Sequence, residues 1–490
     1  MAMQSSLSFI TIDRSSSVPI YLQLENEIRN AVLTGALAVD VKLPSTRQLA
    51  LDLNVSRIPV QSAYEQLTAE GFLTSKQGAG TFISKISVEN LRPKTVKTAP
   101  PEKAKHSRLS KRSEYIKQTL STTRLEGIRP FRPGIPGIDL FPKKAWMQSW
   151  NRAVKISTAT NFGYGNMSGS VRLRNAIAQH IRDARGVNCT ADQIIITGGA
   201  QQAFSLISFS LLDPGVAVWL EDPGHIAIRD AMTAMSSQVF PVPIDPEGID
   251  IVYGCKNYVT PKLIFTTPSH QHPLGTTMSL QRRINLLSYA HENDAWVIED
   301  DYDSEFRYKE RPLVSLQGLD QHQVVIYVGS FSKTLFPGVR LGYIVAPVDL
   351  VDVFKASQGM LMHGCCSITQ EAVADFMELG HYEIHIHKMR KIYKERSRLL
   401  VSTLQDKAGK YLEVSNPSAG MHLLAHLKQG DPTDLCNTLW QQNIDALPLT
   451  IFATHAQVPS AIVLGFACAK EVQIIKYGEK IAQILEEKYG

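Results

Sequence analysis

Short apolar runs recur between helical stretches across the second half of this chain: Ile194–Thr197, Ala217–Leu220, Leu263–Thr266, Trp296–Ile298, Val324–Val328 and Tyr343–Val345. Runs of this length, without polar alternation, are what strands carry when helices cover both faces of their sheet. They predict an α/β domain with a parallel or mixed sheet. That fixes where chemistry is expected, because ligands bind beyond the carboxyl ends of such strands. From about Phe354 onward, the candidate strands Leu412–Val414, Met421–Leu424 and Ile462–Phe466 predict a smaller α+β domain.

A chain of 490 residues exceeds what one hydrophobic core supports, so further domains are expected. Residues 15–84 read as a separate, mainly helical module. Ile20, Leu24, Ile28 and Val32 include the spacing of an amphipathic helix that Gly35 ends. Ser45 is placed to cap a short helix to about Leu53, and Ser56 another to Glu70, with Pro59 in its tolerant first turn. Phe72–Ser84, with Gln77-Gly78-Ala79-Gly80 at its tip, fits a two-stranded wing. This is the order of a winged helix-turn-helix, whose second helix enters the major groove while helix starts hold phosphates. The candidate DNA contacts are Ser45, Arg47, Ser56, Arg57, Gln61 and the wing glycines Gly78 and Gly80. Arg pairs bidentately with guanine and Gln with adenine.

Residues 85–124 contain 11 Lys and Arg against 3 Asp and Glu and few large apolar side chains. Such a stretch buries too little surface to offset its ordering entropy, which predicts a basic, flexible linker to an effector domain at 125–490. It is a solvated tether first, and a possible companion of DNA phosphates second. No apolar run has the length of a membrane span and the N-terminus has no signal-peptide pattern, so a soluble cytoplasmic protein is expected. The six cysteines are scattered and expected to be reduced, and His381, His385 and His387 lack the carboxylate of a zinc motif, so no metal is expected.

The ends of the predicted strands carry the chemistry. Lys333 follows Val324–Val328 and is flanked by Ser330, Ser332 and Arg340, hydroxyls and a guanidinium suited to a phosphate dianion. Asp300 and Tyr302 end the run Trp296–Ile298. Gly199, Ala200 and Gln201 stand between a strand and a helix, where backbone amides cradle anions. Lysine, carboxylate, phenol and phosphate cradle are the parts that pyridoxal 5′-phosphate (PLP) needs: a Schiff-base partner, a partner for the ring nitrogen, and anchors for the phenolic oxygen and phosphate.

Residues 43–84, from Leu43-Pro44-Ser45-Thr46-Arg47 through Val55-Ser56-Arg57 to the wing, resemble the GntR-family winged helix. From about Arg129 onward the chain resembles fold-type I aminotransferases, and the two in this order resemble the MocR subfamily of regulators, including its PdxR-type members. The resemblance implies that Lys333 is the aldimine lysine, that Asp300 meets the ring nitrogen and Tyr302 the phenolic oxygen, and that Ser330, Ser332, Arg340, Gly199, Ala200 and Gln201 surround the phosphate. It also implies a head-to-tail homodimer in which Tyr164 serves the partner's phosphate site.

The chain departs from the aminotransferase pattern in three places. His225 stands where a Tyr often stacks on the ring; Thr267-Pro-Ser-His-Gln-His272-Pro-Leu-Gly275 replaces the Asn-Pro-x-Gly turn; and no Arg follows Arg398, so Ala461–Gly465 lacks the guanidinium that holds a substrate carboxylate. The expectation is a PLP-responsive regulator that binds an operator in double-stranded DNA, with PLP as effector and vitamin B6 synthesis genes as target. The alternatives are a regulator that also needs an amino acid or amine, and a working aminotransferase; weak residual transamination is compatible with each.

Overall fold

The computed structural model describes residues 7, 10–76, 78–85, 109–120, 127–308 and 313–490, and the chain divides into two compact units, Met1–Arg108 and Leu109–Gly490. In the first unit, α1 (Ile20–Thr34), α2 (Thr46–Asp52) and α3 (Arg57–Ala69) precede the antiparallel pair β1 (Leu73–Lys76) and β2 (Gly80–Ile83). Leu24, Ile28 and Val32 of α1 meet Val60, Ala63 and Leu67 of α3 in one buried cluster, an i, i+4, i+8 stripe on the first helix and an i, i+3, i+7 stripe on the second. Gly35 ends α1 at φ 79°, a left-handed position that costs glycine little. Ser45 caps α2 by accepting the Gln48 amide at 3.2 Å. Ser56 stands at the start of α3 but makes no side-chain cap bond, contrary to expectation.

The wing closes on the helices through Leu73 and Ile83, both buried, and through a bridge from Lys42 to Phe82. Gln77, at its tip, lies outside the described residues.

The second unit starts with α4 (Lys111–Leu120). Most of the stretch expected to be linker, residues 86–108 and 121–124, lies outside the described residues, but α4 is helical and its Tyr115 reaches Asp230 of the effector unit at 3.1 Å. The large sheet contains β3 (Ile194–Thr197), β4 (Ala217–Asp222), β5 (Gln238–Asp245), β6 (Gly248–Ile249), β7 (Leu263–Thr266), β8 (Trp296–Asp301), β9 (Val325–Ser330) and β10 (Gly342–Val345), in the order β3-β10-β9-β8-β7-β4-β5-β6. The strands from β9 to β5 are parallel, and β10 runs antiparallel between β9 and β3. Alternate residues feed different cores: Ile298, Ile326 and Val328 point into one, Val297 and Val325 into the other. Both faces are covered, which is why these strands read as unbroken apolar runs.

A second, antiparallel sheet orders β11 (Leu412–Val414), β12 (His422–Leu427), β13 (Leu447–Pro448) and β14 (Ala461–Gly465) as β11-β12-β14-β13. One face packs on the helices His381–Ala408 and Glu471–Tyr489. Among the described residues no helix is long and apolar enough to cross a membrane.

Candidate functional site

The carboxyl ends of β8 and β9 lie side by side and bring Asp300, Tyr302 and Lys333 together. β8 alternates its acids: Glu299 turns away to accept the amides of Leu316 and Gln317 at 2.9 and 2.8 Å, and Asp301 pairs with the buried Arg185 at 2.7 Å. Asp300 between them points the other way. It is 3 % exposed and neither carboxylate oxygen has a hydrogen-bond partner. Burial first, then the charges of Asp301 and Asp303, push its carboxyl well above the usual range. An unpaired buried carboxylate is costly unless something else completes it.

Lys333 lies in the short helix Phe331–Thr334 that follows β9, and its Nζ donates to Gly134 O at 2.7 Å. Burial lowers its pKa, opposed by Asp303 and Asp300. Gly134 has φ 74°, and a Cβ there would stand 2.9 Å from Nζ, so glycine is needed on two counts. Ser330 Oγ accepts the Ser332 amide at 3.1 Å, which leaves its own O–H to donate.

Tyr302 is buried, with its hydroxyl 3.0 Å from His270 Nδ1. That nitrogen is also 3.0 Å from both oxygens of Asp303. Since a carboxylate accepts, Nδ1 carries the hydrogen toward Asp303, and the Tyr302 proton remains available for a ligand. Burial, then Asp303, raises the Tyr302 pKa well above its ordinary value and keeps it a donor.

Three more imidazoles continue this wall. Ring centroids are 5.1 Å apart for His225 and His272, and 5.5 Å for both His272–His422 and His270–His422. Burial, then the charge of Lys333, drives His225 down to about 4; burial, then His270, does the same to His422. His225 Nδ1 accepts the Ala227 amide at 3.2 Å, so its hydrogen is on Nε2.

The helix Ala200–Leu211 starts at Gly199, φ 108°, with no side chain capping its first amides. Gln201 donates to Ala227 O at 3.3 Å. Arg340, exposed and left-handed at φ 50°, lines a cavity of about 620 Å³ with Gly198, Gln201, Gln202 and Cys365. Tyr164 is not brought to this pocket: it is 79 % exposed, its ring 5.5 Å from His363.

In the other unit, Arg47, Ser56, Arg57 and Gln61 are all exposed. Arg57 donates to Thr46 Oγ1 at 3.2 Å, joining α3 to α2, and Gln61 to Glu65 at 2.9 Å. The wing glycines Gly78 and Gly80 are exposed with φ of 74° and 111°.

Residues 20–83 match the family described as bacterial regulatory proteins, gntR family, and residues 138–475 match aminotransferase class I and II. The probable rhizopine catabolism regulatory protein MocR of Rhizobium meliloti is 34% identical over 462 residues, 94% of this chain and 92% of that protein. The chain belongs to the MocR subfamily of GntR-type regulators. Another MocR-like relative, the pyridoxine biosynthesis transcriptional regulator PdxR of Corynebacterium glutamicum, is 30% identical over 94% of this chain and 95% of its own length. Among solved structures, kynurenine aminotransferase of Pyrococcus horikoshii superposes with a TM-score of 0.68 at 26% identity, covering 81% of this chain and 99% of the enzyme. The N-terminal unit of this MocR-type chain is thus a DNA-binding module and the C-terminal unit an aminotransferase fold.

Several pocket residues escaped the sequence reading. Asp303 and Glu221 sit among other acids with nothing to distinguish them; Glu221 is buried, accepting Thr266 Oγ1, Thr267 N and Oγ1, and Gln271 Nε2. His422 comes from β12 of the smaller sheet, and no local pattern foretells its arrival. Gly134 sits in Phe131-Arg-Pro-Gly134, a turn whose partner is Lys333.

Proposed function

We propose that this protein is a DNA-binding transcriptional regulator whose aminotransferase-like domain holds PLP at Lys333 and answers to it as effector. The observation that carries the reading is Asp300: a buried carboxylate without a partner, in the same pocket as a lysine. PLP, when bound, supplies an aldehyde that condenses with an amine and a ring nitrogen that takes a proton. The residues fit it. Lys333, its charge disfavoured by burial, is the attachment point; Asp300 pairs with the protonated ring nitrogen; Tyr302 donates to the phenolic oxygen; His225 stands along the ring. Gly199, Ala200, Gln201, Ser330, Ser332 and Arg340 hold the phosphate. Tyr164, 79 % exposed, reaches the partner's phosphate site in a head-to-tail homodimer.

We favour PLP without an amino acid. β14, the strand expected to carry a carboxylate-binding Arg, has Ala461 and Val463 fully buried among Leu424, Leu449 and Phe452. That apolar cluster offers no bidentate partner to a carboxylate. The arrangement supports a sensor rather than an enzyme. The target we propose is the cell's own PLP supply, the role that the PdxR relative's name carries, exerted in the cytoplasm on nucleoid DNA.

The test is operator-fragment binding by the apo protein, titrated with PLP and then with PLP plus an amino-acid panel. PLP alone is expected to change affinity or DNA shape, and Lys333→Ala to abolish the response. A response only to PLP plus an amine overturns the PLP-alone reading; turnover of an amino donor without DNA binding overturns the regulator.

A further inference from the structure

The helix Ile226–Ala234 is bonded to the cradle and to the smaller domain, and it also holds α4. Its N-cap is His225, whose Nδ1 accepts the Ala227 amide at 3.2 Å. Ala227 O accepts from Gln201 of the cradle at 3.3 Å. Arg229 donates to Thr454 Oγ1 and Ile451 O, both at 3.2 Å, and the Thr454 amide is itself held by Asp222 at 2.7 Å. One turn into the helix, on Asp230, Oδ1 accepts from Tyr115 of α4 at 3.1 Å. Thr233 closes on Arg229 O at 2.8 Å, keeping the far end of the helix regular.

α4 is the first described element of the effector unit, and the chain before it leads to the DNA-binding unit. We propose that the helix Ile226–Ala234 is a lever through which occupancy of the Lys333 pocket governs how α4 is held, and so where the effector unit grips the chain from the DNA-binding module.

The physical steps are short. A ligand filling the space between Lys333, Asp300 and Tyr302 meets the His225 ring. That ring spends one nitrogen on the helix cap, so any reorientation breaks or tightens the bond to Ala227. A helix of this length moves as a body, and its two side contacts, Gln201 of the cradle on Ala227 and Ile451 with Thr454 of the smaller domain on Arg229, bias it as the pocket closes. Asp230 moves with it. Hydrogen bonds weaken steeply with misalignment, so a small shift is enough to change the hold on Tyr115. The ligand acts only through its different affinity for the two arrangements. The idea rests on the reading that this pocket takes PLP.

The experiment is amide hydrogen exchange on the full-length protein, with and without PLP, in the wild type, Tyr115→Phe and Asp230→Ala. In the wild type, PLP is expected to change exchange across α4 by about threefold or more. In both variants α4 is expected to exchange about fivefold faster than in the wild-type apo protein, the worth of one net hydrogen bond. PLP should no longer alter it, although PLP affinity, read by absorbance titration, stays within about threefold of the wild type. Wild-type protein that takes up PLP with α4 exchange unchanged overturns this inference alone, as do variants that keep the full wild-type response. Failure of the wild type to take up PLP overturns it together with the function proposed above.

Discussion

Both carboxylate oxygens of Asp303 lie 3.0 Å from His270 Nδ1, the same nitrogen that Tyr302 Oη approaches at 3.0 Å. One hydrogen cannot serve everyone. Because Asp303 takes it, Tyr302 keeps its own, and the pair converts an ambiguous phenol into a fixed donor facing the pocket.

Tyr302→Phe therefore removes a donor while leaving the His270–Asp303 pair intact. PLP affinity is expected to fall by about tenfold or more, the worth of a hydrogen bond to a charged oxygen. Asp303→Asn should fall by a comparable factor through His270, with the ring now free to choose its tautomer. Absorbance titration of the apo protein with PLP checks both, and an unchanged Kd in Tyr302→Phe ends the assignment.

Asp300 sets apo stability against ligand affinity. Its folded pKa is raised, so the folded state holds a proton that the unfolded chain releases from about pH 4 upward. Stability contributed by the protonated form is full below the unfolded value and is lost as pH rises from there through the folded pKa. Asp300→Asn removes that loss. The apo variant is expected to melt above wild type, with a gap that widens with rising pH, while PLP affinity drops by about tenfold or more for want of a partner to the ring nitrogen. Calorimetric melts of apo protein at several pH values decide it; a gap that narrows with pH would show the carboxylate ionised and paired.

Gly134→Ala is expected to act on Lys333 and on the turn that holds it. A methyl at φ 74° and 2.9 Å from Nζ displaces the amine and strains the backbone. The rate of PLP attachment should drop several-fold and thermal stability by about 1 kcal/mol. Stopped-flow absorbance measures the first; equal attachment rates in variant and wild type would mean that Lys333 is positioned by its own helix.

What was legible in the sequence follows from where the signals lie. β3, β4, β7, β8, β9 and β10 are apolar on both faces, and Lys333, Asp300 and Tyr302 sit at the ends of two of them, so strand and site were read together. β5 was not. Pro241 and Pro243 interrupt it, and it tolerates them because its outer side meets only the two-residue β6, paired at Ile244 and Asp245. α4 was hidden by composition: its basic residues read as tether, while Tyr115, paired with a residue 115 positions away, docks it on the effector unit. His422 is a tertiary fact, brought by the smaller sheet to a pocket built on the larger. Ser56 shows the opposite error, a good capping residue in the right place whose side chain does not cap.

The last prediction concerns α3. Arg57 and Gln61 share a face one turn apart, and Ile58 between them is 75 % exposed, an apolar side chain with little reason to face water. In the major groove such a residue finds the thymine methyl, while the flanking Arg and Gln reach guanine and adenine. Arg47, in the first turn of α2, is expected to meet a phosphate. In selection from a randomised operator library, Arg57→Ala and Gln61→Ala should each relax one base position by about 1–3 kcal/mol, and Ile58→Ala should weaken a thymine preference next to them. Arg47→Ala should weaken all sequences alike and lower the salt slope by about one. If Arg57→Ala instead lowers every sequence equally, its bond to Thr46 is its main task and base reading passes to Gln61 and Ile58. The near balance of 6 Lys and Arg against 7 Asp and Glu in residues 1–84 sharpens the outcome. With so few cations on the module, each removed phosphate contact is a large share of the electrostatic affinity.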